Sequence, residues 1–310
     1  MTSALVTGVG GFIGSHLAED LLADGHTVRG IDNFSTGRRS NLDGFRDREA
    51  FEFVPGDLRE EADVERAVSG VDRVFHQAAV PSVPRSVERP TLTTSANCLG
   101  TANLLVAARD AGVERVVVAS SSSVYGSGGS LPRVESQATD PESPYALSKY
   151  WTEQLAVQFS EFYDLDTVAL RYFNVFGPRQ DPDSEYSAVI PTFVDRMLAG
   201  DRPIIYGDGE QSRDFTYVAN AVRANRLAAA GDASGEIFNV GCGGRVTVNG
   251  IVDQLNEILG TDLSPIYDDP RPGDVRHSHA DVSKIRDRLG YDVAVGFREG
   301  LERTVEALRD

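Results

Sequence analysis

Lysine is almost missing from this 310-residue chain: Lys149 and Lys284 are the only two among 30 basic side chains, the rest being arginine. Positive charge is itself in deficit, because 47 acidic residues leave a net charge of −17. A chain this acidic repels nucleic acid and anionic membranes unless a local basic patch intervenes, so neither is expected as a partner. Cysteine is equally scarce. Cys98 and Cys242 are too few and too far apart for a disulfide framework or a thiolate metal site, and both read as small core residues. No run reaches the ~18 apolar residues that span a bilayer, and no basic leader precedes the first apolar run, the first cation being Arg29. These absences lead us to expect a soluble, cytoplasmic protein. Few lysines with many acids suit a salt-rich cytoplasm, where a Debye length of ~3 Å at 1 M screens self-repulsion. A GC-rich genome favouring arginine codons is the competing explanation.

What is present folds. A hydrophobic content of 41% argues against disorder, and the length calls for two lobes or one large α/β unit. Residues 4–7, 28–32, 52–54, 74–76, 116–120 and 168–171 read as strands, with helical spacing over 12–22, 63–68, 100–111 and 145–162. Strands recurring with helices between them imply a parallel sheet with right-handed crossovers. After Gly177 the rhythm changes. Residues 178–187 are polar, 190–199 helical, 203–206 a short strand and 217–230 a helix, while 237–240 is apolar enough to rejoin the first sheet.

Between the first strand and first helix lies Gly8-Val9-Gly10-Gly11-Phe12-Ile13-Gly14. A dinucleotide pyrophosphate needs backbone N–H donors at a helix N-terminus and no Cβ in its way, which Gly8, Gly11 and Gly14 provide. Tight turns also use glycine, but the placement after a strand and before an apolar helix favours the cofactor reading. Asp32 ends the second strand, where an acid accepts the adenosine ribose hydroxyls and repels a 2′-phosphate, so NAD is expected over NADP. Arg38 and Arg39 read as solvated loop charges. Asp57 and Leu58 follow another strand and are placed for the adenine edge, a solvated loop acid being the alternative for Asp57.

Tyr145 and Lys149 stand at i and i+4 on a predicted helix and share one face. An ammonium near a phenol favours phenolate, which makes the tyrosine a usable base. The spacing alone is common on solvated helices. It gains weight from Ser120-Ser121-Ser122-Ser123-Val124-Tyr125-Gly126, which follows an apolar strand and places a hydroxyl at the ligand end of a parallel sheet.

Taken together, T-G-V-G-G-F-I-G, D-N-F-S-T-G, G-D-L, H-Q-A-A, A-S-S-S-S-V-Y-G, S-P-Y-A-L-S-K, R-Y-F-N-V-F-G-P-R, R-D-F and R-P-G-D give a chain that resembles the extended short-chain dehydrogenase/reductases, specifically their nucleotide-sugar epimerase/dehydratase branch. The resemblance implies a Rossmann-type doubly wound parallel sheet with a smaller interleaved C-terminal α/β substrate lobe. Residues 1–176 and 213–242 would form the NAD-binding domain, and 177–212 and 243–310 the UDP-sugar-binding lobe. It further implies that Tyr145 takes the proton of the sugar 4-hydroxyl, Ser121 bridges the same oxygen, and Lys149 also holds the nicotinamide ribose. NAD would be held by Gly8, Gly11, Phe12, Ile13, Gly14, Asp32, Asn33, Ser35, Thr36, Gly37, Asp57, Leu58, Gln77, Ala78, Ala79, Asn97 and Phe173 with Tyr145 and Lys149. The UDP-sugar would meet Ser82, Ser121, Ser123, Asn174, Gln180, Val189, Ile204, Tyr206, Arg213, Arg271, Asp274 and Ser278. Of these, Arg213 and Arg271 match the diphosphate-binding arginines and Asp274 the ribose-binding acid, with Arg179 a further candidate.

The resembling 4,6-dehydratases carry an Asp-Glu pair after the catalytic Thr, where this chain has Ser122 and Ser123; UDP-glucuronate decarboxylases usually have Glu at the second place. The expected activity is therefore 4-epimerisation. Where glucose-specific relatives carry a bulky Tyr, Ser278 leaves room for an N-acetyl group, so UDP-GlcNAc/UDP-GalNAc is the expected pair and UDP-Glc/UDP-Gal a second. A UDP-glucuronate epimerase or decarboxylase, a dehydratase, and a non-catalytic NAD-binding regulator are the alternatives. No metal is expected: His277, His279 and Asp281 alternate along one face but match a structural stretch of relatives, and His76 reads as a strand-end structural residue. Relatives pair through two long helices, which here implies a homodimer through 99–111 and 145–162.

Overall fold

The computed structural model describes residues 2–181, 189–270 and 275–309. Six of the expected apolar runs are strands: β1 (Ser3–Thr7), β2 (Thr27–Asp32), β3 (Phe51–Pro55), β4 (Arg73–His76), β5 (Arg115–Ser121) and β6 (Asp166–Tyr172). The late apolar run does rejoin this sheet. Strand Glu236–Val240 pairs in parallel with β6, Phe238 opposite Leu170. From that edge the order is Glu236–Val240, β6, β5, β4, β1, β2, β3, and every pairing is parallel. This is the doubly wound Rossmann arrangement. Its direction reverses between β1 and β4, so a crevice opens beyond their carboxyl ends.

The central strands are apolar on both faces because helices cover both. Val116, Val117 and Val118 are all fully buried. On one face Leu17 and Leu21 of the Phe12–Ala23 helix meet Val117, Leu170 and Ala224. On the other, Leu104 and Phe159 meet Leu5, Val74 and Val118. A third cluster, Phe176, Phe193, Ile205, Phe215, Ile251 and Leu301, lies beyond the sheet. Around it three short pairings form: Ile204–Tyr206 with Ile266–Asp268, Ser212–Arg213 with Val246–Thr247, and Val175–Phe176 with Thr216–Tyr217. The Ser283–Leu289 helix returns to the main sheet, where Ile285 and Leu289 join the first cluster and Lys284 Nζ donates to the Ile237 carbonyl at 2.9 Å.

The periodicity did not foresee one local feature. Between the Pro90–Thr94 and Gly100–Asp110 helices, Ser95–Leu99 winds as a π-helix. It turns Asn97 inward, where Oδ1 accepts from the Val80 amide at 2.7 Å and Nδ2 donates to Ser148 Oγ at 2.9 Å. Such bulges re-aim one side chain at the expense of regular winding.

Candidate active site

The glycine turn is shaped for close backbone approach. A Cβ on Gly14 would sit 2.2 Å from the Gly8 carbonyl oxygen, so only glycine lets the helix start this near the strand. Gly8 has φ +69°, and a Cβ there would press within 2.8 Å of the Ala78 backbone. No side chain caps the Phe12–Ala23 helix, and its first turn holds no acid. Its positive end therefore faces the crevice, as an anion requires.

That crevice, about 600 Å³ with its mouth, is lined by Gly8, Gly11, Asp32, Asn33, Ser35, Thr36, Asp57, Leu58, Gln77, Ala78 and Ala79. Eleven expected cofactor contacts thus meet in one place. Asp32 Oδ2 accepts from the Gly10 amide at 2.8 Å and Oδ1 from the Phe34 amide at 2.7 Å. Burial nevertheless raises its pKa above the ordinary value. Asp57 is less open than its loop position suggested: Arg59 grips it through Nε at 3.0 Å and a second nitrogen at 2.6 Å, and Asn33 adds 2.8 Å. Arg59 holds its carboxyl down to about 2. Phe12 and Ile13 open the helix, Gly37 passes the Gly10–Gly11 backbone, and Phe173 is fully buried beside Tyr125. The glycine approach, the uncapped helix and the carboxylate at the end of β2 all fit NAD.

The reacting groups gather where β5 ends. Ser121 lies close enough to the Tyr145 phenol to lower its proton affinity, and it accepts from Ser123, 3.2 Å from its amide and 2.9 Å from its hydroxyl. The helix carrying Tyr145 and Lys149, Pro144–Tyr163, is capped by Ser143, which accepts from the Ala146 amide at 3.1 Å. Proline at its first position suits the missing N–H. Lys149 Nζ is buried and donates to the Ala119 carbonyl at 2.8 Å. The proton affinities differ from the sequence expectation. Burial raises the Tyr145 phenol, the nearby Ser121 hydroxyl opposing it, and burial lowers Lys149 to about 8. A protein interior penalises the charged form of each, and Lys149 spends its proton on a carbonyl of β5 rather than on the phenol.

A second pocket, about 1010 Å³ with its mouth, lies beside the third apolar cluster. Asn174, Val189, Ile204, Tyr206 and Arg213 line it. Asn174 sits at φ +38° and its Nδ2 donates to the Asp214 carbonyl at 3.0 Å. Ser278 bridges the same segment: its amide donates to the Ser212 carbonyl and its carbonyl accepts from the Asp214 amide, both at 2.9 Å. Gln180 donates to the Val175 carbonyl at 3.3 Å. Ser82 stands apart as the cap of the Val83–Glu88 helix, accepting from the Arg85 amide at 3.3 Å. Arg179 pairs with Glu19 and is not among the residues lining this pocket. Arg271 and Asp274 lie outside the described residues.

Sequence reasoning overlooked several groups. Asp214, inside the R-D-F motif, is fully buried and accepts from the amides of Cys242, Gly243 and Ala280 at 2.8, 3.0 and 3.2 Å, while burial raises it to about 6. His76, by contrast, reads from the sequence as a strand-end structural residue, and it bridges Thr7 and Thr101 at 2.8 and 2.9 Å; burial lowers it to about 3, so it is neutral. Glu153 lies four residues past Lys149, a helical spacing that could have flagged it.

With this geometry in hand, the comparisons agree. The model of the NAD dependent epimerase/dehydratase family matches residues 4–241. A UDP-glucose 4-epimerase of Mycolicibacterium smegmatis is 39% identical over 313 residues, covering 99% of this chain and 98% of the relative. A UDP-N-acetylglucosamine 4-epimerase of Methanobrevibacter ruminantium, solved with UDP-N-acetylmuramic acid, superposes with a TM-score of 0.95 at 41% identity, covering 99% of this chain and 98% of that one. A UDP-glucose 4-epimerase of Thermotoga maritima, solved with UDP-glucose, gives 0.94 at 39% identity with the same coverage. The chain belongs to the NAD-dependent epimerase/dehydratase family, and it is an enzyme of that family's NAD chemistry.

Proposed function

We propose that this protein is a UDP-sugar 4-epimerase that interconverts UDP-GlcNAc with UDP-GalNAc and accepts UDP-Glc/UDP-Gal as a second pair. The observation that carries the reading is the meeting of Ser121, Tyr145 and Lys149 at the end of β5, with hydroxyls rather than carboxylates at Ser122 and Ser123. Elimination of water would need an acid and a base there, and epimerisation needs neither. Residues 1–176 with 213–242 serve the cofactor, and 177–212 with 243–310 the UDP-sugar.

NAD, held by the glycine turn at residues 8–14 and by Asp32, would supply the hydride acceptor and donor for reversible oxidation at C4. The chain's own groups orient the sugar and carry the proton. Tyr145 Oη, as the phenolate that the Lys149 ammonium must favour against the cost of burial, takes the proton of the 4-hydroxyl and gives it back. Ser121 holds the same oxygen, and the Lys149 ammonium sets a positive charge behind both. Arg213 engages the diphosphate, overcoming locally the field of an acidic protein.

The purified, NAD-loaded protein is incubated with UDP-sugars and products are identified by chromatography and mass. Epimers of unchanged mass are expected. Loss of CO₂ or water would instead support a decarboxylase or a dehydratase, and no product despite bound NAD a regulator. Ser278→Tyr fills the space reserved for the acetyl group, so the kcat/KM ratio of UDP-GlcNAc to UDP-Glc falls by about tenfold; an unchanged ratio defeats the pocket argument. The sugar of the Methanobrevibacter ruminantium relative supports this preference.

The partner proposed is a second copy of the chain. Leu99, Val106, Leu147 and Trp151 leave 38–56% of their surfaces exposed on the two neighbouring helical segments, more than a solvated face explains. Trp151→Glu should leave a folded monomer in sedimentation equilibrium while the unaltered protein sediments as a dimer. A monomeric unaltered protein would overturn this.

A further inference from the structure

The last three residues of β5 each meet one member of a four-residue ladder on the Pro144–Tyr163 helix. Ser121 lies beside Tyr145, the Ala119 carbonyl accepts from Lys149, and Ser120 Oγ donates to Glu153 Oε2 at 2.7 Å. Glu153 is fully buried and does not reach the crevice. Its partner is Arg171 of β6, whose Nε lies 2.9 Å from Oε2 and whose terminal nitrogen lies 2.6 Å from Oε1. Both side chains are essentially without solvent exposure. The Arg171 guanidinium also stacks 4.7 Å from the Tyr125 ring centroid, and the Tyr125 hydroxyl donates to Asn239 Oδ1 at 2.7 Å. Arg171 is followed directly by Tyr172, Phe173 and Asn174, which run into the site.

A buried ion pair is a poor source of stability, since desolvation offsets most of the attraction and apolar residues of equal volume serve as well. Its distinctive product is geometric, because a bidentate pair permits one rotation of the helix and one register against the strands. We propose that Glu153 and Arg171 are positioning residues that set the azimuth of the catalytic helix, so that Tyr145 and Lys149 meet the end of β5. The inference rests on the assignment of Ser121, Tyr145 and Lys149 as the reacting set. Glu153 acts through Ser120 and Arg171 and touches neither sugar nor cofactor.

The decisive variant is the double replacement Glu153→Leu with Arg171→Met, which removes both charges together and leaves neither unpaired. It should fold with a thermal midpoint close to that of the unaltered protein. Its kcat should fall about 30-fold with KM changed less than about twofold, because alignment is lost and binding is not. Amide hydrogen exchange over residues 145–149 should quicken about tenfold, a readout independent of turnover. A folded double variant with unaltered kcat and unaltered exchange overturns the proposal. Should the double variant not fold, Ser120→Ala removes one hydroxyl and leaves the ion pair. It should lower kcat about fivefold and quicken the same amides, and no change in either measurement overturns the proposal. If the unaltered protein converts no sugar, the functional reading fails, while the exchange comparison still decides the positioning role.

Discussion

At the scale of single residues, burying the amine of the proposed catalytic set works against stability. Lys149 is buried, and its folded pKa of about 8 lies below its ordinary value of 10.5 because a charged amine is costly there. The sign follows directly. As pH falls from about 10.5, the unfolded chain takes up a proton that the folded chain refuses until about pH 8. Stability is therefore lost across that window, and at neutral pH the shift amounts to about 3 kcal/mol. Lys149→Met should abolish turnover while leaving the thermal midpoint at pH 7 unchanged or higher, the lost bond to the Ala119 carbonyl offsetting part of the gain. A midpoint lowered by more than about 5 °C would contradict this. Tyr145 and Lys149 were marked by their four-residue spacing only together with the serine run that ends β5, and the scarcity of lysine singled Lys149 out. Their proton affinities were not, since these depend on how deep each group lies.

At the scale of elements, polar side chains near the switch point hold the strands in place. His76 joins β1 to β4 through Thr7 and reaches the Gly100–Asp110 helix through Thr101. Its pKa, lowered from 6.5 to about 3 by burial, means that the neutral ring stabilises the fold fully above about pH 6.5. That contribution drains away as pH falls toward 3, reaching about 5 kcal/mol at the acid end. Denaturant titrations between pH 7 and 4 should show a steeper loss for the unaltered protein than for His76→Asn, which cannot ionise; parallel pH profiles would refute the assignment. Strand and helix positions were readable here because periodicity reports which face is buried. The π-turn at Ser95–Leu99 was not, because it answers to Val80 and Ser148, residues distant in sequence.

At the scale of the whole molecule, a net charge of −17 gives long-range self-repulsion that salt screens. Several arginines already meet acids at the surface, as with Arg226 and Asp20 at 3.1 Å or Arg298 and Glu302 at 3.2 Å, and such exposed pairs contribute little. The thermal midpoint should therefore rise between 0.1 and 2 M KCl, by about 5 °C or more. A midpoint that falls would set screening aside and leave codon bias as the explanation of the arginine content. The same acidity bears on the proposed role of Arg213, since the proposed diphosphate must find a positive pocket on a negative body.

The sequence by itself determined the parallel sheet and the glycine turn and marked the proposed Ser–Tyr–Lys set, because each is written in local spacing: burial in periodicity, backbone approach in glycine, a shared helix face in four-residue steps. Only the tertiary structure decided what those residues are coupled to. The grip of Arg59 on Asp57, the three amides converging on Asp214 and the Glu153–Arg171 pair join segments far apart in the chain. Such couplings follow from burial and chain geometry, which take shape when strands pack side by side.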